Sequence, residues 1–362
     1  MSAAVLDDAA LLDRMMAGLA EADPKYQPTN YWQLYQAPVL DELRDLGLSG
    51  FRRRRHTLLD TFGATDTLAR AEIAVGGRWS ARLSPIARKV FDAIPGVEAA
   101  VSGLAPGEIT AYFFERVREK CATAGLDMAR LGTSAIGDPE DLVEIEGQLW
   151  SIAHLQHCAM IADALRNIPF REDTVFCELG AGMGRTVEAL ARQFHSATLL
   201  LFDIPPQLYV AHQYLTAVFG PRVLPYGTLG DAAMPEGAVP AHLRGRIIVE
   251  PSWRFPAWRG ARVDLFWNSA SFQEMEPDVV ANYLGGVSAM APAHVYINAL
   301  PKGNYWGERR PGSGGTRQPV TDRVYQDSLA PAYRLARTYS TDYFMRAPAY
   351  RSYIFEREGK QL

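Results

Sequence analysis

V-F-C-E-L-G-A-G-M-G-R, at residues 175–185, is the stretch that decides the fold of this 362-residue chain. An apolar run ends near an acid, Glu178, and glycines then recur at every second position, at Gly180, Gly182 and Gly184. Glycine is needed where a ligand lies against bare backbone, because a Cβ atom would collide with it. The pattern predicts a strand, a glycine-rich turn and a helix, at the edge of an open sheet where ligands bind.

Beyond this turn, short apolar runs alternate with helical stretches through residues 171–362. Strands are predicted at 174–178, 198–203, 222–226, 246–250, 263–267 and 294–298, followed by an antiparallel pair at 334–339 and 350–356. The first two helices of this region are predicted at 185–193 and 207–219. Such alternation indicates an α/β fold with a mostly parallel sheet that helices cover on both faces.

The first 170 residues follow a different pattern, in which apolar residues recur at helical spacing. Helices are predicted there at 11–19, 38–46, 84–94, 108–124 and 148–167. We therefore divide the chain into a mainly helical N-terminal domain at 1–170 and a sheet domain at 171–362.

The composition indicates the broad class of protein. Hydrophobic residues make up 48% and charged residues 22% of the chain, which is typical of globular proteins. The net charge of −4 gives no reason to expect general attraction to nucleic acid or to anionic membranes. No window of the sequence approaches the roughly 18 uncharged apolar residues of a membrane span.

Four consecutive arginines lie at 52–55. We interpret this run as a solvated helix face.

The cysteines and the first residues bear on the compartment. Cys121, Cys158 and Cys177 lie far apart, so their spacing implies neither a disulfide framework nor a zinc site. Residues 1–24 carry acids throughout their apolar stretch, which is not typical of a secretory signal. We expect a cytoplasmic protein. No set of metal ligands is evident in the sequence, which leaves metal dependence open.

The glycine-rich turn could bind either of two kinds of cofactor, a dinucleotide or S-adenosylmethionine. A dinucleotide-binding turn has its third glycine five residues after the first, and Arg185 occupies that position. The third glycine instead comes after four residues, and the acid Glu178 precedes the turn, which together fit S-adenosylmethionine better. Asp203 ends the second predicted strand and would suit the ribose of either ligand. A nicotinamide-dependent oxidoreductase is therefore the disfavoured alternative.

The cofactor would be held by side chains and backbone around this turn. Glu178 can meet its ammonium group, directly or through water, and Asp203 can accept both ribose hydroxyls. N–H groups at the start of the following helix can receive its carboxylate, and Ile204 is placed to cover one adenine face. The residues expected to bind the cofactor are Glu178, Gly180, Ala181, Gly182, Gly184, Asp203, Ile204, Ser252, Trp253 and Asn268.

Four segments of the chain resemble a known family. They are the turn itself, F-D-I-P-P-Q-L-Y-V-A-H-Q-Y-L at 202–215, D-L-F-W-N-S-A-S-F-Q-E-M at 264–275 and V-Y-I-N at 295–298. Together with Y-W at 31–32 and G-F-R-R at 50–53, they are similar to the sugar O-methyltransferases of bacterial glycoside and antibiotic gene clusters. The resemblance implies a Rossmann-like class I methyltransferase fold, with an antiparallel last strand and S-adenosylmethionine as cofactor.

The same resemblance implies a small-molecule acceptor, either a sugar or a glycosylated metabolite, in antibiotic or other specialised biosynthesis. It favours the later of the two candidate third strands, which places Ser252 and Trp253, rather than Leu229 and Asp231, beside the adenine. The helical half would form a wall of the acceptor pocket, and a homodimer interface on it is left open. Two alternatives stay open: methyl transfer to carbon or nitrogen of an amino-acid-derived or aromatic acceptor, and a cofactor-binding scaffold without catalysis.

Methyl transfer to a sugar hydroxyl needs a base, because the hydroxyl is a poor nucleophile and loses its proton as the bond forms. Glu274 is our first candidate, since it follows the fourth strand, although it would equally suit a helix cap or an ion pair. His154 and His157 share one helical face and are the alternative bases, or packed helix histidines. Tyr305 and Trp306, in a loop expected to close over the acceptor, could stack on a sugar.

Overall fold

The computed structural model describes residues 5–53, 106–303, 315–341 and 350–359. Its strands, numbered in chain order, are β1 (Val143–Ile145), β2 (Gln148–Trp150), β3 (Val175–Leu179), β4 (Thr198–Asp203), β5 (Ile247–Pro251), β6 (Leu265–Ser269), β7 (His294–Ala299), β8 (Tyr333–Thr341) and β9 (Tyr350–Arg357). The first two pair as a short antiparallel hairpin, and the other seven form one sheet.

The seven-stranded sheet has the order β5-β4-β3-β6-β7-β9-β8. The strands from β3 to β7 run parallel to one another, whereas β9 is antiparallel to both of its neighbours, β7 and β8. The strand order reverses at β3, with β4 on one side and β6 on the other, and such a reversal opens a crevice at the carboxyl ends of the strands. The predicted mostly parallel sheet with an antiparallel last strand is confirmed.

Helices cover both faces of the sheet. They are α1 (Ala9–Glu21), α2 (Asn30–Leu46), α3 (Pro106–Thr123), α4 (Ile152–Leu165), α5 (Arg185–Gln193), α6 (Gln207–Phe219), α7 (Pro277–Met290) and α8 (Asp322–Leu329). The helix predicted at 84–94 lies outside the described residues. Within the described ranges, no helix combines the length and the apolar character needed to cross a bilayer.

Of the two candidates for the third strand, the one at 222–226 does not form. Residues 222–226 do not form a strand of the sheet, because the chain makes a 3-10 turn at Gly220–Arg222 and only Val223 bridges to β5. The Arg222 guanidinium donates hydrogen bonds to four backbone carbonyls of the surrounding loops and fixes this turn. The third strand is therefore β5, the later of the two candidates.

The helix predicted at 148–167 begins later than its apolar pattern indicated. Residues 148–150 form β2, and the Ser151 hydroxyl then caps the helix that starts at Ile152. A serine at this position satisfies an N–H group that the first turn of a helix leaves without a partner.

Alternate residues of each strand enter separate cores, because successive side chains of a strand point to opposite faces. In β4, Leu199 and Leu201 join the first core, and Leu200 and Phe202 join the second. The first core continues into α1 to α6, and the second continues into the 3-10 turn Ser252–Trp258, α7 and α8. One face of the sheet thus packs against the N-terminal helices. The domain division near residue 170 stays a prediction.

A buried ionic network joins the N-terminal half to that face of the sheet. Glu188 on α5 accepts the Tyr214 hydroxyl at 2.7 Å and pairs with Arg192 at 3.2 Å. Burial alone would raise the pKa of the Glu188 carboxyl group, but its interactions with His154, Arg192 and Arg52 lower the pKa below its usual value. Arg52 is only 3% exposed and donates to backbone carbonyls, so the interpretation of its arginine run as a solvated face is wrong at this residue.

Candidate functional site

The glycine-rich turn joins β3 to α5 at the carboxyl edge of the sheet. Gly180, Gly182 and Gly184 have φ angles of +74°, +57° and +87°, a left-handed conformation that favours glycine. A Cβ atom on Gly180 would overlap the Ser271 hydroxyl in the loop after β6. Packing of two neighbouring loops therefore requires bare backbone here, whether or not a ligand is bound.

The four turn residues that were expected to contact the cofactor differ in their surroundings. Gly180 lines the pocket described below, whereas Ala181 is partly buried against the first core. Gly182 donates its N–H to the Asp203 carboxylate. At Gly184 an added Cβ atom would lie 2.9 Å from a methyl group of Leu215 on α6, so this glycine also serves helix packing.

Glu178 is buried beside the turn, with 2% of its surface exposed. Its Oε2 atom has no hydrogen-bond partner among the described residues, although the Thr186 hydroxyl bonds the carboxyl group. Burial raises the pKa of Glu178 to about 8, and the nearby Asp203 carboxylate adds to the rise. A buried carboxyl group with an unsatisfied oxygen needs a donor, which an ammonium group would supply.

Asp203 ends β4 next to the glycine turn. Its two oxygens each accept a backbone N–H at 2.7 Å, Oδ2 from Gly182 and Oδ1 from Ile204. Burial raises the pKa of Asp203 to about 7 in spite of these two hydrogen bonds. Each oxygen keeps a lone pair for a further donor, so the paired hydroxyls of a ribose would suit this carboxylate.

A pocket lies at the carboxyl ends of β3, β4, β5 and β6. The predicted cofactor residues that line it are Gly180, Asp203, Ile204 and Ser252. The lining residues that sequence reasoning missed are Tyr26, Gln27, Pro28, Thr29, Trp32, Leu179, Ser271, Met275, Val279 and Tyr283. Five of these come from the N-terminal segment at 26–32, whose only sequence signal was the Y-W pair at 31–32.

The loop after β5 contributes one of its two predicted residues to the pocket. The Ser252 hydroxyl lines the pocket and donates to the Tyr26 carbonyl at 2.9 Å. The Trp253 ring instead packs against α1, where a Cβ atom on Gly18 would lie 2.8 Å from the indole. The structure therefore brings Ser252 into the pocket and leaves Trp253 outside it.

Asn268 uses both ends of its side-chain amide within the protein. The Nδ2 atom donates to the Leu179 carbonyl at 2.8 Å, and Oδ1 accepts the Phe272 N–H at 3.1 Å. Asn268 is fully buried and does not line the pocket. Its amide holds the end of β3 against the loop after β6, and so positions the two loops that carry the glycine turn and Glu274.

Glu274 ends the 3-10 turn Phe272–Glu274 after β6. Its Oε2 atom accepts the Trp32 indole N–H at 3.1 Å, and its backbone carbonyl accepts the Thr29 hydroxyl at 2.9 Å. Burial raises the pKa of Glu274 to about 8, the Trp32 hydrogen bond opposes the rise, and the Asp203 carboxylate adds to it. A carboxyl group whose pKa lies near neutral has the proton affinity that a general base needs.

The two histidines of α4 do not line the pocket. His154 is fully buried, with Nε2 at 2.6 Å from the Leu131 carbonyl, and burial lowers its pKa to about 4. His157 places Nδ1 at 3.2 Å from the Thr186 hydroxyl, which in turn bonds Glu178, and burial lowers its pKa to about 3. Such low pKa values make both imidazoles weak bases.

The buried carboxyl group of Glu178 and the half-buried one of Glu274 both lie near the Asp203 carboxylate. Asp203 is half-buried and is the one of these three that lines the pocket. No lysine or arginine is among the described residues that line the pocket. Among the residues with described positions, no group of three or more His, Cys, Asp or Glu side chains could hold a metal ion. Tyr305 and Trp306 lie outside the described part of the chain.

No protein-family model matches the sequence, and neither does any curated protein. Solved structures do match part of the chain. One is the magnesium protoporphyrin IX methyltransferase ChlM from Synechocystis PCC 6803 with bound SAM, at 14% identity and a TM-score of 0.36, covering 70% of this chain and 98% of that one.

Two further structures match over a shorter region. The cyclopropane synthase MmaA2 from Mycobacterium tuberculosis is 11% identical with a TM-score of 0.39, covering 55% of this chain and 83% of that one. The mitomycin 7-O-methyltransferase MmcR is 16% identical with a TM-score of 0.35, covering 56% of this chain, and this chain spans 57% of its length.

At identities of 11% to 16% and TM-scores of 0.35 to 0.39, these likenesses by themselves establish neither the fold nor the activity of this chain. The strand order within the sheet of this chain is the stronger observation, because it follows from the register of paired residues. With β3 at the reversal point and β9 inserted antiparallel between β7 and β8, the chain has a Rossmann-like α/β fold.

Proposed function

We propose that this protein is an S-adenosylmethionine-dependent O-methyltransferase that acts on a sugar or a glycosylated small metabolite. The observation that carries the proposal is the set of three carboxyl groups near the glycine turn. Asp203 lines a pocket whose described lining has no lysine or arginine, and in addition to burial its carboxylate raises the pKa of both Glu178 and Glu274 nearby. A ligand with net positive charge stabilises such a set, whereas the pyrophosphate of a dinucleotide would be repelled by it. A nicotinamide cofactor is therefore disfavoured on charge as well as on glycine spacing.

The residues present fit S-adenosylmethionine. Glu178 has an unsatisfied buried oxygen for the ammonium group, and Asp203 keeps one lone pair on each oxygen for the ribose hydroxyls. Ile204 and Ser252 line the pocket on the side of β4 and β5, where the adenine would lie. When bound, the cofactor supplies a methyl group on a positively charged sulfur.

Glu274 is the side chain that we assign to the acceptor hydroxyl. Its carboxylate would accept the hydroxyl proton while the oxygen forms its bond to the methyl carbon, and so keep the acceptor from building up positive charge. Because the ionised form accepts the proton, activity should rise with pH through about 8, the pKa of Glu274. This carboxyl group neither caps α7 nor pairs with an arginine among the described residues, which leaves it available for such a role.

The cofactor half of the proposal is tested by isothermal titration with S-adenosylhomocysteine and, separately, with NAD. We expect saturable binding of the first alone and its loss in Asp203→Ala, with Asp278→Ala, an exposed acid on α7, as the matched control. Binding of NAD, or of neither ligand, would contradict the proposal.

The catalytic half is tested by a screen of sugars and glycosides, with aromatic and amino-acid-derived acceptors alongside. In Glu274→Gln, turnover of the best acceptor should fall by about 10²- to 10⁴-fold while binding of S-adenosylhomocysteine is kept. Product analysis then locates the new methyl group. A methyl group on carbon or nitrogen would refute the O-methyltransferase assignment, and full activity of the variant would remove Glu274 from catalysis.

A further inference from the structure

The N-terminal segment at 26–36 lies across the carboxyl edge of the sheet and hydrogen-bonds the loops after three different strands. The Tyr26 carbonyl accepts the hydroxyl of Ser252, which follows β5, at 2.9 Å. The Thr29 hydroxyl donates at 2.9 Å to the carbonyl of Glu274, after β6. The Gln36 amide donates at 3.0 Å to the Pro205 carbonyl, after β4.

Each of these three loops carries a predicted site residue, namely Ile204, Ser252 or Glu274, and the glycine turn after β3 carries further ones. Packing of the segment on the fold would not by itself require a hydrogen bond to each of these loops at the edge where the ligand is expected. The contacts therefore place the segment over the cofactor pocket rather than beside it.

Side chains of the segment form the outer wall of the pocket. Tyr26, Thr29 and Trp32 line it, facing the glycine turn and Asp203 on the inner wall. Trp32 also donates its indole N–H to the Glu274 carboxylate at 3.1 Å.

The first turns of α2 are built differently from the rest of the helix. Only Val39 and Leu43 of α2 are buried, whereas Tyr31, Trp32 and Tyr35 form a half-buried aromatic cluster with ring centroids 5.0 to 6.4 Å apart. Half-buried aromatic rings at a pocket mouth offer large apolar surface to a ligand at small entropic cost. Trp32, the member of this cluster that lines the pocket, is therefore placed to contact a ligand there.

We propose that residues 26–36, the cover segment, form a second half of the S-adenosylmethionine site, with Trp32 as its main ligand contact. The inference rests on the proposed function, because it assigns a further wall to the same cofactor pocket. Cofactor binding and docking of the cover segment are then coupled, so that each stabilises the other.

The test uses the full chain and S-adenosylhomocysteine as the probe. Isothermal titration should show about tenfold or weaker binding in Trp32→Ala, and a smaller loss in Trp32→Phe, which keeps a ring but removes the N–H group. Leu34→Ala is the matched control, since Leu34 is 42% exposed on the same helix and does not line the pocket. Its affinity should stay within about twofold of the wild type.

Hydrogen exchange gives a second readout that does not depend on a variant's folding. Amide exchange in the cover segment should slow when the wild-type protein is saturated with S-adenosylhomocysteine. Unchanged exchange there, together with wild-type affinity in Trp32→Ala, would overturn the inference while leaving the proposed function standing. If the wild-type protein does not bind the probe at all, it is the proposed function that fails. Thermal melting of each variant identifies any loss of affinity that comes from unfolding.

Discussion

Cofactor affinity should depend on pH through Glu178. The pKa of this carboxyl group lies at about 8 in the ligand-free protein, because burial disfavours its charged form. A cofactor ammonium group would favour the ionised form, so binding below pH 8 must release the proton that Glu178 holds. Affinity therefore rises as pH rises through this range and falls as pH is lowered.

The size of this pH effect on the apparent Kd follows from the pKa of Glu178. At pH 7, a carboxyl group with a pKa of about 8 is ionised in about one molecule in eleven, so the apparent Kd lies about tenfold above its high-pH limit. Between pH 6 and pH 8 the same titration changes the apparent Kd by about 50-fold, or about 2.3 kcal/mol. Asp203, with a pKa of about 7, adds a further decrease in affinity towards pH 6.

The assay is calorimetric titration with S-adenosylhomocysteine at pH 6, 7 and 8, in buffers of different ionisation enthalpy. At pH 7, binding should release about 0.9 of a proton from Glu178, in addition to any from Asp203. Glu178→Gln has the same shape without the titrating group, and it also controls for titration of the ligand itself. If the variant and the wild type show the same pH dependence and the same proton release, Glu178 does not meet the cofactor in its ionised form.

Two further predictions concern stability and are read from urea denaturation. Gly180→Ala should lower the free energy of unfolding by at least about 2 kcal/mol, because the added Cβ atom would overlap the Ser271 hydroxyl at a left-handed φ of +74°. An unchanged unfolding midpoint would show that the two loops can separate without cost. Glu188→Gln should cost about 3 kcal/mol, because it leaves the buried guanidinium of Arg52 and the half-buried one of Arg192 without a nearby carboxylate. A loss below about 1 kcal/mol would mean that water or other groups already neutralise them.

The sheet could be predicted from the sequence because its strands follow a simple rule. Runs such as the one that became β4 are apolar on both faces, as buried parallel strands are, and each is followed by a turn. Residues 222–226 fit the same pattern but do not form a strand of the sheet. A neighbouring proline and the hydrogen bonds from the Arg222 guanidinium to four backbone carbonyls decide their conformation. Those bonds reach loops more than twenty residues away in sequence, which no local pattern encodes.

The inner wall of the pocket could be predicted for the same reason. Asp203 ends one strand and Ser252 directly follows another, and parallel strands bring their ends to one edge. Trp253 was chosen by the same rule, and His154 because histidine titrates near neutral pH. The structure turns both side chains away from the pocket, His154 towards a buried ionic network and Trp253 towards α1. The outer wall could not be predicted, because Trp32 reaches Glu274 across 242 positions of sequence.

The way in which the cover segment is attached explains how a ligand could enter beneath it. The chain before and after the segment is anchored on α6: the Asp8 N–H donates to the Tyr209 hydroxyl at 2.6 Å, and Arg52 lies over the Tyr214 ring at 5.8 Å. The second anchor is buried in the ionic network, and Tyr26, the first residue of the cover segment, is buried in the second core. Residues 29–36 are held by a few partly buried hydrogen bonds.

Each such hydrogen bond contributes about 0.5–1.5 kcal/mol net, so lifting residues 29–36 while Tyr26 stays packed costs less than unfolding either anchor. A bound cofactor that adds apolar contacts to Trp32 would shift this balance towards the closed state by the same free energy that the closed state adds to its affinity. Tight binding and ready entry are therefore compatible in this architecture, because the anchors keep the outer wall close to the pocket while it is open.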